Sequence, residues 1–253
     1  MSDSTRRDFI KSATVGATGL LLAQHDPDVN ATEAVGATSS ATNIPPAFAM
    51  ELQPKALAFD PAKLTGISEK LTRSHWDTNY TGAVKTLNAV KKQLASALST
   101  KDSPPWAYND LKREHLIRTG SVVFHELYFG NLGGDGKADA VLRTEIGAAF
   151  GSFDLWETEF RKIGAGLGGG SGWVLLGFNL HTHEIENYWL ADHAHGPAAT
   201  APLLVMDMYE HAYQMDYGAA AAKYIDAFFQ NIHWDEVSAR LAIAHSVKSA
   251  GHS

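Results

Sequence analysis

The 253-residue chain contains no cysteine. That excludes disulfides, thiolate metal sites, iron–sulfur clusters and a cysteine nucleophile. It also excludes a lipid attached to an N-terminal cysteine. Any transition metal must be held by His, Asp or Glu. Positive charge is in short supply: 21 Lys and Arg stand against 28 Asp and Glu, a formal net charge of −7. That balance argues against a nucleic-acid partner. It also repels anions, so chemistry on an anion needs a local patch of opposite sign. A membrane-spanning run is missing too. The apolar stretch from Ala13 to Ala23 is too short and too glycine-rich to serve as a permanent anchor. What remains is an ordinary globular mixture, 45% hydrophobic and 19% charged, long enough to bury a sizeable core.

The first residues read as an address. Ser4-Thr5-Arg6-Arg7-Asp8-Phe9-Ile10-Lys11, followed by the short apolar stretch, resembles the twin-arginine export signal. That resemblance implies a protein folded in the cytoplasm, often around a cofactor, and carried to the periplasm. From Gln24 to about Pro46 the chain is rich in Ala, Thr, Ser, Asn and Asp and has little to bury. Residues 1–48 are therefore expected to be signal and disordered linker.

Hydrophobic periodicity organises the rest. Ile67, Leu71, His75, Val84, Leu87, Val90 and Leu94 recur at helical spacing and predict one long helix over 65–99. Lys101 to Pro105 breaks it, and a second helix is expected from Tyr108 to Phe129. The two make a helical hairpin, residues 49–136. Residues 137–253 read as a mixed domain. Helical pattern over 138–163 breaks near Gly151-Ser152, and strands are expected at 173–179, 185–191 and 202–207. Helical stretches at 208–217, 219–230 and 234–245 close the chain. The fold class is α+β: a helical hairpin, then a three-stranded antiparallel sheet packed with helices.

Twelve histidines invite a metal, and most need a bland explanation. Asp207 and His211 pair a hard carboxylate with an imidazole four residues on. His75 and His125 sit amid apolar or small helical positions, where a lone His is ordinarily a core residue. His181-Thr-His183 has ligand-like spacing, but it lies at a hairpin turn with no matching set nearby.

Longer motifs weigh the four together. Pro202-Leu-Leu-Val-Met-Asp-Met-Tyr-Glu-His-Ala-Tyr213 resembles the signature Asp-x-Trp-Glu-His-Ala-Tyr of the iron/manganese superoxide dismutases. Phe150-Gly-Ser-Phe-Asp154, Gly170-Ser-Gly-Trp173, Tyr224-Ile-Asp-Ala-Phe-Phe229 and Trp234-Asp-Glu-Val237 are similar to further segments of that family. So are His125-Glu-Leu-Tyr-Phe-Gly-Asn-Leu132 and the helix carrying His75, Asn79, Tyr80, Val84, Leu87 and Asn88.

The resemblance implies one iron or manganese ion per subunit, held by His75, His125, Asp207 and His211, with a fifth position for water; the reading leans to iron. It implies dismutation of superoxide to dioxygen and hydrogen peroxide. His193 falls where the family places the group touching the metal-bound solvent. Trp173 and Trp234 would line the apolar shell. Glu210 would meet the metal-ligand His211 of a second subunit in a symmetric homodimer, with a tetramer left open.

Several positions depart from the family. Its gate tyrosine is Ala83, and its histidine four after the first ligand is Asn79. Its tryptophan two after the ligand Asp is Tyr209, and its funnel arginine is lost within Gly218 to Ala222. Tyr80 or Tyr128 could supply a phenol from elsewhere. An altered gate leaves two alternatives open: a related metal oxidoreductase of peroxidase type, or a metal-binding relative without turnover.

Overall fold

A computed structural model describes residues 44–250, with side chains to 247. The Arg6–Arg7 pair, most of the linker, His25 and His252 lie outside the described residues. The described chain is α+β. A short helix α1 (Pro46–Ala49) precedes an extended arm that runs to Asp60. Asn88 on the later hairpin holds that arm through both its amide groups, accepting from Leu52 N–H at 3.0 Å and donating to Leu52 C=O at 2.8 Å.

Helix α2 (Glu69–Ser74) starts where Ser68 Oγ accepts from Leu71 N–H at 3.1 Å, with Glu69 in its first turn. The expected single helix over 65–99 is interrupted. His75–Tyr80 forms a π-helical turn before α3 (Thr81–Ser99) resumes the α-helix. In a π turn the hydrogen bonds run from i to i+5, so the face advances by one residue. Tyr80, five after His75, is buried against Phe129, and Asn79 is only half-buried.

Pro104-Pro105 ends the connection, and Pro105 occupies the first turn of α4 (Pro105–Gly130), where its missing N–H costs no helical bond. Helices α3 and α4 pack as the hairpin. Helices α5 (Ala140–Phe150) and α6 (Phe153–Leu167) meet at the expected break. Gly151 closes α5 at φ 88°, and Ser152 Oγ caps α6 by accepting from Leu155 N–H.

The sheet has the order β2-β1-β3, antiparallel throughout. Its strands are β1 (Trp173–Asn179), β2 (Ile185–Leu190) and β3 (Thr200–Asp207). Central β1 is buried along nearly its whole length, as its unbroken apolar run requires. Pro202 in β3 is accommodated at a register shift opposite Gly177. The register sets Trp173 opposite Asp207.

The segment after β3 is not the helix expected over 208–217. It forms a 3₁₀ turn (Glu210–Ala212) and a one-turn helix α7 (Gln214–Tyr217). The cause is local. Asp207 Oδ1 accepts from Tyr209 N–H at 2.8 Å, a side-chain bond that competes with helix initiation. Helices α8 (Ala221–Gln230) and α9 (Trp234–Ala250) complete the chain.

One hydrophobic core joins the hairpin to the sheet. It includes Leu71, Val84 and Val122 from the first half, and Trp156, Leu176 and Phe228 from the second. Among the described residues no helix is long and apolar enough to cross a membrane.

Candidate metal centre

Four side chains converge from the two halves of the chain. His75 opens the π turn, and His125 lies near the end of α4. Asp207 ends β3, and His211 sits in the 3₁₀ turn. One ligand-type atom from each lies within 4.8 Å of the others. Asp207 Oδ2 stands 3.2 Å from His75 Nε2, 3.3 Å from His211 Nε2 and 3.8 Å from His125 Nε2. Donors about 2.1 Å from one ion lie roughly 3 Å apart at right angles and roughly 4 Å apart when opposed. The three separations fall in that interval.

The environment is dry. His75, His125 and Asp207 are 2%, 1% and 0% exposed. His211 is the open member, its side chain 25% exposed. His125 Nδ1 lies 2.6 Å from the Ser121 carbonyl. A carbonyl only accepts, so Nδ1 carries the proton and Nε2 presents a lone pair to the cluster.

That lone pair has no hydrogen-bond partner, and neither has His75 Nε2. The 3.2 Å approach of His75 to the carboxylate is close enough for an ion pair but not aligned as a hydrogen bond. Each buried, unsatisfied polar atom costs about 1–3 kcal/mol. Two of them facing one buried carboxylate are what a cation is needed to satisfy. Three imidazole nitrogens and one carboxylate oxygen suit iron or manganese, so the residues fit the ion that the motifs implied.

The electrostatics agree. Burial, then the neighbouring His75, lowers His125 to about 3, so its ring is neutral. Burial also lowers His75. Burial alone would raise the Asp207 carboxyl, but the charge and hydrogen bond of His211, with help from His75, hold it well below the carboxylate range.

Surrounding groups fix the cluster. Asp207 C=O accepts from the Tyr224 hydroxyl at 2.8 Å, and that hydroxyl lies 3.1 Å from the Tyr128 hydroxyl. The Tyr128 ring stands 5.3 Å from His75. Trp173 is fully buried and meets His125 edge-on at 5.2 Å. The Tyr209 ring lies between two imidazoles, 5.2 Å from His211 and 4.6 Å from His193, nearly parallel to both. Trp173 Nε1 donates to His193 Nδ1 at 3.1 Å.

The other residues named from sequence fall as follows. The Tyr80 ring is 6.3 Å from His125, but its hydroxyl is committed elsewhere. It accepts from Lys55 N–H at 2.8 Å and donates to Glu126 at 3.0 Å, so its bonds do not run to the four. Tyr128 is likewise engaged with Tyr224. Asn79 is half-buried within the π turn, and Ala83 is buried. Trp234 does not line the cluster through its ring. It packs on Phe153 and Trp156 at 5.6 and 5.5 Å, and its indole N–H is buried without a partner. Glu210 is exposed on the same turn as His211. Sequence reasoning missed the Ser121 carbonyl and the Tyr224 hydroxyl. The first was findable, since it lies four residues before His125 on one helix; the second had no local signal.

Comparison with known proteins gives the same picture. The family described as iron/manganese superoxide dismutases, C-terminal domain, matches residues 138–240. An iron superoxide dismutase of Cupriavidus metallidurans is 52% identical over 190 residues, covering 75% of this chain and 96% of its own. One of Aquifex aeolicus is 34% identical over 197 residues, covering 75% of this chain and 91% of its own. A manganese superoxide dismutase of Haloferax volcanii is 30% identical over 195 residues, covering 75% of this chain and 94% of its own. With this extent of identity and a buried three-histidine, one-aspartate cluster, the chain belongs to the iron/manganese superoxide dismutase family.

Proposed function

We propose that the protein is a superoxide dismutase that uses iron, exported to the periplasm and working as a symmetric dimer. The observation that carries the activity is the pair of buried, unsatisfied Nε2 atoms of His75 and His125 facing the Asp207 carboxylate. In net terms two superoxide anions and two protons give one dioxygen and one hydrogen peroxide. A bound iron or manganese ion supplies one-electron cycling between +3 and +2.

The chain's own residues do the rest. His75, His125, Asp207 and His211 hold the ion. The Ser121 carbonyl fixes the tautomer of His125, and the Tyr224 hydroxyl anchors Asp207 from behind. Trp173 and Tyr209 exclude water around the imidazoles. His211, partly exposed, marks the side on which a small anion enters. His193 accepts from Trp173 at Nδ1, holds its proton at Nε2 and offers it to an oxygen anion at the site.

Iron is favoured because the relative at 52% identity is named an iron enzyme. Export is supported by Arg6-Arg7 and the apolar stretch after them. A dimer is supported by Glu210, exposed and adjacent in sequence to His211, where a second copy's carboxylate could reach the ligand ring.

The test is elemental analysis paired with a superoxide assay on protein purified from the periplasm, with its mass measured in solution. Stoichiometric iron, rapid dismutation and a two-chain mass are expected. Full metal occupancy without dismutation would sink the activity. Manganese, retention in the cytoplasm or a monomeric mass would each overturn its own part.

A further inference from the structure

His193 is held from three directions. Trp173 Nε1 donates to its Nδ1 at 3.1 Å. The Tyr209 ring stacks on its imidazole at 4.6 Å and 12°. The third restraint comes from α4. The loop between β2 and β3 crosses that helix so closely that a Cβ on Gly120 would overlap the His193 carbonyl oxygen and stand 2.9 Å from its carbonyl carbon. The obstacle is backbone, which cannot rotate aside as a side chain can. A glycine inside a helix is destabilising relative to alanine. At position 120 the close approach gives that cost a purpose.

Since Nδ1 accepts from Trp173, the neutral ring carries its proton on Nε2. Among the described residues no other hydrogen bond reaches this imidazole, so Nε2–H is its remaining donor. The ring lies 5.9 Å from the His125 ring. Within the same loop Asp192 Oδ1 accepts from Ala194 N–H at 2.7 Å, so the backbone on either side of His193 is also fixed.

We propose that Gly120 is a positioning residue for the dismutase site: it admits the His193 backbone against α4, which lets Trp173 set the tautomer and leaves Nε2–H as the donor of a ring held beside His125. This rests on the functional reading above. Gly120 reaches the reaction only through His193, so its removal should matter only while the imidazole is present.

The test compares the iron-loaded protein with Gly120→Ala, His193→Ala and the double variant by redox titration, with metal content and circular dichroism on the same samples. Gly120→Ala should shift the midpoint potential in the same direction as His193→Ala. The expected change in the oxidised-to-reduced ratio is at least about tenfold, or about 59 mV for one electron. In the His193→Ala background it should add nothing. ¹⁵N NMR of the metal-free chain should report a single Nε2–H tautomer of His193 in the parent and a mixture in Gly120→Ala.

A folded, loaded Gly120→Ala with the parent's potential and tautomer overturns the proposal. So does an equal shift in the His193→Ala background. If Gly120→Ala does not fold, Trp173→Phe decides, since it removes the donor to Nδ1 and adds nothing to α4. A parent-like potential and tautomer there also overturn it. Failure of the functional reading is distinguishable, because the parent itself would then lack metal or dismutase activity.

Discussion

Two regions of the molecule collect imidazoles and carboxylates, and only one of them makes a metal centre. A surface cleft of about 730 Å³ is lined by Glu145, Glu159, His183, Glu184, Glu186 and His245. It holds four carboxylates where the interior cluster has one. Yet His245 and Glu145 pair at 2.9 Å with side chains 48% and 39% exposed, and water screens them. In the interior, three of the four residues are buried and only His211 is partly open, and two nitrogens are left without partners. Desolvation and unmet bonding capacity, more than the number of ligand-type residues, separate a site from a solvated patch.

That contrast can be broken most severely by Asp207→Ala. It removes the one anion common to all three imidazoles. The loss of metal affinity should exceed the roughly 10–100-fold caused by removing a supporting hydrogen bond. Elemental analysis of the purified variant checks this, and near-normal iron content would contradict it.

Acid offers a second lever on the metal-free protein. Burial, then His75, puts folded His125 at about 3, below its ordinary 6.5. Between those values the unfolded chain binds more protons than the folded one. Stability is therefore full above about pH 6.5 and declines as pH falls toward 3. Denaturant midpoints of the metal-free chain at about pH 7 and pH 5 should differ; equal midpoints would count against a neutral, buried ring.

Tyr224→Phe should do less, since it deletes one hydroxyl from the Asp207 carbonyl and the Tyr128 phenol. About 1 kcal/mol of stability is expected to be lost, read from the urea midpoint. The smallest effect belongs to the cleft. Glu145→Gln should change stability by less than about 1 kcal/mol and leave iron content untouched. A drop in iron there would erase the distinction between the two regions.

Much of this was legible in the sequence. The apolar spacing of Val84, Leu87, Val90 and Leu94 marked the inner face of α3, and all four are buried. Gly151-Ser152 marked a helix junction because glycine closes helices and serine opens them. The four clustered residues were named from motifs, since no periodicity brings residue 75 to residue 207. The π turn at His75–Tyr80 left no trace, as no glycine or proline announces it. Within it Tyr80 is buried and Asn79 half-buried. The 3₁₀ turn after Asp207 was hidden for a different reason. Its cause is a side-chain oxygen competing for one backbone N–H, which helical propensity does not record. Trp234 was misplaced because the start of α9 packs on α6, a contact between distant parts of the chain.

The bond from His125 to the Ser121 carbonyl has a consequence for variation in this protein. A main-chain acceptor is present whatever residue stands at position 121, so no substitution there deletes it. The orientation of this imidazole is thereby insulated from point mutation at its partner, unlike an orientation set by a neighbouring carboxylate. Removing that acceptor would take distortion of α4 itself, by proline for instance.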